Sequence, residues 1–144
     1  MKKLLYSFLL LSSATLFAQK NSATKFAISN DIVGTVDMFA PYKDAIQSMN
    51  VYKTPANLPA NLKKYSSIAE NGLTEIKMKK GQDNMDRLPL SDLNVQYGLP
   101  TETPVLIDGY EFSDTKTLVF GNILTNMELV DRDGKKVVSI TTKK

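Results

Sequence analysis

The sequence predicts an α+β fold: a single domain with a mixed sheet and short helices on it, built from two approximately repeated halves, residues 31–81 and 82–144. Segments with the strand period of two alternate along the chain with segments of helical spacing. Two similar stretches also end in paired lysines, at Lys79-Lys80 and Lys143-Lys144. A predicted signal peptide leaves 126 residues, an ordinary length for one domain with its own core.

Residues 1–18 have the pattern of a secretory signal peptide. Two lysines precede an apolar stretch, and small residues follow until Ala18. A transmembrane anchor is the alternative, but the apolar part would rise only roughly 22 Å as a helix, against a hydrocarbon core of ~30 Å. Cleavage after Ala18 and cleavage after Ala14 both remain open. We expect the polar residues 19–30 to form a flexible leader, or at most an edge strand.

In the first half, two strands are expected on either side of a helix. Met49 and Val51 lie on one face at the strand period, which predicts a core strand. A helix is expected from Pro59, because proline suits a first turn and apolar residues then recur at helical spacing. Asn71-Gly72 ends this helix, since glycine tolerates the left-handed cap. Residues 73–79 alternate as a half-buried strand.

In the second half, residues 81–84 form a polar joint and a short helix is expected over residues 90–97. Val105-Leu106-Ile107 is apolar at every position, which predicts a central strand covered on both faces. Asp108-Gly109 then turns the chain. A turn of helix is expected over residues 113–120, because Ser or Asp can cap its start and Gly-Asn follows it.

A β-hairpin is expected at the end of the chain, around Asp131-Arg132-Asp133-Gly134. Asp-Gly between the β-rich runs 126–130 and 136–142 is a strong hairpin signal. A calcium loop is the alternative reading of these four residues. It lacks a third oxygen ligand before the glycine and a bidentate acid after it, so the turn is favoured.

The two halves can be aligned with each other. Residues 46–52 correspond to 124–130, and Gly72–Lys80 corresponds to Gly134–Lys144. A helix separates the two strands of the first half, which permits a parallel pair, whereas the tight turn of the second half requires an antiparallel pair. A chance similarity between two β-rich segments is the alternative to a true repeat.

Four stretches of the chain together resemble one family. They are residues 46–53, residues 71–81 with Asn-Gly and Lys-Lys-Gly, Thr103–Tyr110 with Ile-Asp-Gly, and Ile140–Lys144 with Ile-Thr-Thr-Lys-Lys. All four are similar to segments of the plug domain of TonB-dependent outer-membrane receptors, in an order unlike a single plug. The resemblance implies two plug-like halves. The 144 residues supply too few strands for a receptor barrel, so we expect the domain to act without one of its own.

The motif residues are predicted to be structural. The resemblance implies a structural role for the Asn71-Gly72 turn, for the Asp108-Gly109 turn and for the strand that precedes Asp108. The hairpin signal adds a third turn, at Asp133-Gly134. These residues are Asn71, Gly72, Pro104, Ile107, Asp108, Gly109, Asp133 and Gly134.

Composition excludes the commonest catalytic chemistries. The sequence contains no histidine and no cysteine, which rules out Ser-His-Asp and Cys-His nucleophiles, histidine or thiolate metal sites, and disulfides. Asp83, Asp86 and Asp92 could supply paired carboxylates for glycoside hydrolysis, but aspartate is ordinary in turns and helix caps. We therefore predict no catalytic residue, no metal site and no cofactor.

The charge of the mature chain gives no indication of nucleic-acid binding. Removal of residues 1–18 leaves 16 basic and 15 acidic residues, a net charge of +1. The lysine pairs are short and widely spaced, whereas a nucleic-acid surface needs clustered basic residues. We also expect no membrane span once the signal peptide is removed.

The function expected from the sequence is that of an exported binding module, located in the periplasm, at the outer membrane or outside the cell. Its expected partner is an envelope protein such as a barrel receptor. One alternative is a structural or adhesin-type subunit that assembles through edge strands. Another is a small carboxylate-dependent hydrolase. The sequence leaves the ligand and the oligomeric state open.

Overall fold

Strands dominate the computed structural model, which describes residues 20–142. In chain order they are β1 (Phe26–Ser29), β2 (Ile32–Thr35), β3 (Ile46–Tyr52), β4 (Leu73–Met78), β5 (Arg87–Pro89), β6 (Val105–Ile107), β7 (Tyr110–Phe112), β8 (Leu118–Phe120), β9 (Asn126–Arg132) and β10 (Lys135–Thr141). They form a six-stranded sheet, in the order β3-β4-β1-β2-β8-β5, and a four-stranded sheet, in the order β7-β6-β10-β9. The predicted single α+β domain is confirmed, with two mixed sheets in place of one. The predicted signal peptide and Lys143-Lys144 lie outside the described residues.

The helical segments are short. They are helix α1 (Leu90–Gln96) and the 3₁₀ helices Asp37–Ala45, Pro55–Asn57, Ala60–Ile68 and Gly121–Ile123. Helix α1 confirms the prediction for residues 90–97. The helix expected from Pro59 is a 3₁₀ helix whose buried residues, Leu62, Tyr65 and Ile68, recur every three residues, the period of that helix. Among the residues described, no helix combines the length and apolar character needed to cross a membrane.

Two-residue turns close three hairpins, and both turn residues have positive φ in each. The turn residues are Asn30-Asp31 (53° and 61°), Asp108-Gly109 (50° and 84°) and Asp133-Gly134 (51° and 81°). This is the type I′ pattern, whose twist matches that of the flanking strands, and Asn, Asp and Gly adopt it most readily. The predicted terminal hairpin is therefore confirmed, with a tighter turn than the sequence suggested.

Strand β1 corrects the prediction that residues 19–30 are a flexible leader. It lies between β4 and β2 near the centre of the six-stranded sheet. Phe26 and Ile28 pack into the larger hydrophobic cluster on one face, and Ala27 packs into a smaller cluster on the other face. The polar stretch ends at Lys25, and the strand Phe26–Ser29 that follows it has only four residues. This is too short for the strand period to be recognised in the sequence.

The predicted core position of Met49 and Val51 is wrong. Strand β3 is the edge strand of its sheet, and these side chains are 47% and 66% exposed. The pairing of β3 with β4 is also antiparallel, although the intervening helix would have permitted a parallel pair. The period of two identified the strand correctly. It could not show that no other element of the described chain covers either face of β3.

The turn of helix predicted over residues 113–120 is wrong as well. Residues 118–120 form β8, which pairs parallel with β2 and antiparallel with β5. The carbonyl groups of Thr115 and Thr117 accept hydrogen bonds from the N–H groups of Ser91 and Leu90, at 2.9 and 3.0 Å. These tertiary bonds hold the preceding loop in place and override the local capping signal.

The same arrangement of four strands occurs twice. The set β2-β1-β4-β3 and the set β7-β6-β10-β9 each contain a hairpin, a parallel pair and a final antiparallel pair, in the same order. The register of the aligned halves agrees with this, since Met49 pairs with Ile76 and Met127 pairs with Ile140. Strands β5 and β8 of the second half extend the first set, so the two halves share a sheet.

Candidate functional site

Asp108 is the centre of a buried polar cluster at the end of β6. Its carboxylate accepts hydrogen bonds from the Thr24 hydroxyl at 2.8 Å, from the Thr142 N–H at 2.8 Å and from the Thr142 hydroxyl. Its own N–H donates to the Ile140 carbonyl at 2.8 Å, and its carbonyl accepts from the Asn21 N–H at 2.8 Å. Asp108 is 7% exposed and therefore depends on these partners. It ties both described ends of the chain to the β6–β7 turn.

Asn71 and Tyr110 connect the motifs of the two halves. The Asn71 amide donates a hydrogen bond to the Tyr110 hydroxyl at 2.7 Å. The predicted helix cap at Asn71-Gly72 is wrong, because the 3₁₀ helix ends at Ile68 with Ala69 as its cap, and the Gly72 N–H closes a separate turn by donating to the Ala69 carbonyl at 2.9 Å. Glycine suits this turn, since Gly72 has a φ of 93° and a side chain there would meet the Tyr52 carbonyl oxygen at 3.2 Å. The fold therefore brings Asn71 next to the residue that follows Asp108-Gly109.

The remaining motif residues have structural positions. Ile107 ends β6 and is fully buried in the larger cluster, and Pro104 precedes that strand. Asp133 and Gly134 form the exposed tip of the β9–β10 hairpin. The motif residues thus divide into a group around the β6–β7 turn and this hairpin tip.

An open groove runs along β7, and we call it the β7 groove. It has a volume of about 800 Å³, and residues 109–114, which include all of β7, form one wall. The opposite wall belongs to the 3₁₀ helix Ala60–Ile68, through Lys64, Tyr65, Ser67 and Ile68. Asp31, from the turn of the other hairpin, also lines it. The groove therefore lies between the hairpin turns of the two repeated strand sets.

Charged side chains surround the β7 groove, and most of them are paired. Lys64 contacts Asp31 at 3.2 Å, and Arg132 lies 3.8 Å from Glu111. Lys20 contacts Glu70, outside the groove lining, at 2.7 Å and also lies over the Tyr110 ring. The hydrogen bond to Glu70 raises the pKa of Lys20, and the hydrogen bond to Asp31 raises the pKa of Lys64. Both lysines therefore remain cationic at neutral pH.

The two tyrosines at the groove have raised pKa values. Burial is the main cause for both, since it disfavours the charged phenolate, and nearby carboxylates add to it: Asp31 for Tyr65 and Glu70 for Tyr110. The Tyr65 hydroxyl donates to the Asp31 carbonyl at 3.3 Å. These phenols are therefore neutral hydrogen-bonding groups at physiological pH.

The three aspartates considered for hydrolysis do not line a common cleft around Asp83. Asp83 lines a second, smaller cleft, where Asp86 and Asp92 are absent from the lining. Arg87 contacts the Asp83 carboxylate at 3.1 Å, which gives this aspartate a structural role. Across residues 20–142 the structure contains no group of three or more acidic side chains placed to hold a metal ion.

The groove was not found from the sequence. Tyr65 and Ile68 were visible as part of the apolar stripe of a helix, but no local pattern linked them to β7, which begins at Tyr110. Lys116 belonged to no motif, and Arg132 was identified only as part of the hairpin turn at residues 131–134. The groove arises from packing between sequence-distant elements, which no local pattern indicates.

Comparison with known proteins gives no match: no protein-family model, no curated protein and no solved structure is significantly similar to this chain.

Proposed function

We propose that the mature chain is an exported, envelope-associated binding module with a plug-like fold and no catalytic activity. The observation that carries this proposal is the repeated strand arrangement, because the Asp108-Gly109 turn contributes Gly109 to one open groove and Asn71 bonds to Tyr110, which also lines that groove. The resemblance of these motifs to receptor plugs supports an envelope location. The partner proposed is an envelope protein such as a barrel receptor.

The chemistry of the groove supports binding better than catalysis. Two of its lysines, Lys20 and Lys64, are ion-paired to carboxylates, and its tyrosines are held neutral. General acid–base catalysis favours a group whose pKa lies near the working pH, and these shifts move away from it. With no histidine or cysteine in the sequence, the groove has no imidazole and no thiol to act as proton carrier or nucleophile.

Crosslinking in intact envelopes tests this proposal. The full chain with a C-terminal tag is expressed, cells are fractionated, and crosslinked complexes are recovered and identified. We expect the mature protein in an envelope fraction, crosslinked to an envelope protein. Recovery only as a free cytosolic protein would refute the export and binding proposal together.

A second candidate function, assembly through edge strands, is favoured by β3. This seven-residue edge strand contains no charged residue or proline, the devices that usually protect a free edge. Met49 and Val51 are exposed on one of its faces. Sedimentation velocity at increasing concentration separates the two functions. Assembly predicts oligomers that Val51→Lys abolishes and that Val95→Lys, on the exposed face of helix α1, leaves intact. A monomer at all concentrations would refute assembly.

A further inference from the structure

We propose that the β7 groove binds an extended acidic segment of a partner polypeptide, which adds as a fifth strand to the free edge of β7. This inference rests on the proposed function and names the site and the ligand class. Three independent features support it: an unpaired strand edge, a groove of suitable size beside that edge, and the distribution of charge around the groove.

The first feature is the free edge itself. Strand β7 is the terminal strand of the four-stranded sheet. In a two-residue hairpin the residues flanking the turn, here Ile107 and Tyr110, exchange hydrogen bonds, and the bonding pairs then alternate along the strands. The N–H and C=O of Glu111 therefore point away from β6, towards the groove. An extended peptide can bind these groups as a neighbouring strand would.

The second feature is the shape and polarity of the groove. Its volume of about 800 Å³ is within the range of ligand-binding sites in proteins. A strand edge forms one wall and the 3₁₀ helix Ala60–Ile68 the other, so a peptide would bind between a strand and a helix. The lining residues Tyr65, Ile68 and Phe112 are at most 7% exposed, and they provide an apolar base. Alternate side chains of a bound strand would face this base.

The third feature is charge. Four basic side chains line the groove, Lys20, Lys64, Lys116 and Arg132, against three acidic ones, Asp31, Glu111 and Asp114. Within residues 20–142, Lys116 makes no ion pair. The Nη1 atom of Arg132 is buried without a hydrogen-bond acceptor, and its nearest carboxylate oxygen, on Glu111, is 3.8 Å away. A carboxylate on the peptide would supply the missing acceptor after a small rotation of the guanidinium.

The test uses the purified mature chain and two fluorescein-labelled octapeptides. One alternates valine with glutamate, and the other alternates valine with glutamine. Fluorescence anisotropy measures the Kd of each peptide at low and at physiological salt. We expect saturable binding of the acidic peptide, with the neutral peptide roughly fivefold weaker or more, the factor that one screened charge interaction contributes. No binding of the acidic peptide, or equal binding of both, would overturn the inference.

Two variants at one position separate strand addition from simple charge attraction. Glu111→Pro removes the N–H that points towards the groove. The hydrogen bonds that Tyr110 and Phe112 make to β6 stay in place, since proline is tolerated at a free edge. This variant should raise the Kd of the acidic peptide roughly tenfold. Glu111→Gln retains the N–H and should bind at least as tightly as the wild type. If the proline variant binds like the wild type, or if both variants lose binding equally, strand addition is refuted.

A blocking variant keeps the inference testable if Glu111→Pro does not fold. Ser67→Trp places a large side chain in the helix wall of the groove and should abolish binding of the acidic peptide. Val95→Trp, on the exposed face of helix α1, is the matched control and should bind normally. Unchanged binding by Ser67→Trp, with its fold verified by circular dichroism, would place the peptide elsewhere.

Photocrosslinking distinguishes failure of this inference from failure of the proposed function. A photoreactive amino acid at position 113, in the groove, is compared with one at position 51, on β3, in intact envelopes. Capture from position 113 of a protein whose crosslinked segment is rich in acidic residues supports the groove. A foreign protein captured only from position 51 overturns the groove inference and leaves the binding function standing, whereas capture from neither position counts against both.

Discussion

The carboxylate of Asp108 accepts two hydrogen bonds from Thr142, one from its N–H at 2.8 Å and one from its hydroxyl. These residues belong to the Ile-Asp-Gly and Ile-Thr-Thr-Lys-Lys segments that first suggested a plug-like fold. The parallel pairing of β6 with β10 brings the two segments together, because both strands end at the same edge of the sheet. The bond explains in physical terms why the two segments belong to one structural unit.

Replacing Asp108 with alanine should destabilise the fold by roughly 2–4 kcal/mol. The substitution removes a charged acceptor from three hydrogen bonds and also places alanine at a φ of 50°. Urea unfolding measures the change. Asp133→Ala is the matched control, because Asp133 has a similar φ in an exposed turn and its carboxylate makes no hydrogen bond within the described range. Equal losses in the two variants would show that the carboxylate contributes little.

Phe26→Ala should destabilise the protein by about 3–5 kcal/mol, the usual cost of a large cavity in a core. Phe26 is fully buried and packs edge-on against Tyr110 and Phe112, with ring centroids 5.3 and 5.9 Å away. Chemical denaturation measures the loss. Val51→Ala, at a largely exposed position, should change stability by less than about 0.5 kcal/mol. A mild effect at Phe26 would restore the view that this segment is a dispensable leader.

The contact between Asn71 and Tyr110 should show an energetic coupling of about 0.5–1.5 kcal/mol, the usual net contribution of one hydrogen bond. A double-mutant cycle with Asn71→Ala and Tyr110→Phe measures it from unfolding free energies. The control cycle combines Tyr110→Phe with Asn61→Ala, since Asn61 donates to Glu75 instead. Purely additive effects in the first cycle would mean that the bond does not join the two halves.

Gly109→Val should destabilise by more than ~1 kcal/mol, because a β-branched residue is strained at a φ of 84°. Gly109→Asn should cost less, since asparagine tolerates the left-handed region. Thermal unfolding of both variants gives the comparison. Equal melting temperatures for Gly109→Val and the wild type would contradict the turn geometry.

Stability should fall in alkaline solution as the groove tyrosines ionise. Burial raises the pKa of Tyr65 above its ordinary value of 10.0, so the fold favours the neutral phenol. This contribution is fully present below pH 10 and is lost as the pH rises through the higher folded-state pKa. Thermal unfolding from pH ~9 to ~12 should show a smaller loss for Tyr65→Phe than for the wild type. If the melting temperatures of Tyr65→Phe and the wild type fall in parallel with pH, ionisation of Tyr65 is not a cause of the alkaline loss. Lys64 and Tyr110, whose pKa values are also raised, contribute to that loss in the same direction.

Local patterns predicted elements well where the local signal and the tertiary environment agree. Helix α1 and the terminal hairpin formed as expected, because a stripe of apolar residues and an Asp-Gly turn act over short distances. The errors at Met49 and at residues 118–120 have the opposite cause. Burial of a strand face depends on its neighbours, and a capping residue can be overruled by hydrogen bonds to another segment, as Thr115 and Thr117 show.

The sequence by itself determined the α+β class, the single domain and the absence of histidine and cysteine chemistry. It also located three glycine turns, at Asn71-Gly72, Asp108-Gly109 and Asp133-Gly134. Only the tertiary structure decided that β1 is central, that there are two sheets, and that a groove lies between β7 and the 3₁₀ helix Ala60–Ile68. Turns and periodic strands depend on neighbours in the chain. A groove depends on which distant surfaces pack together, and Tyr65 and Phe112 meet there only because the sheets share a core.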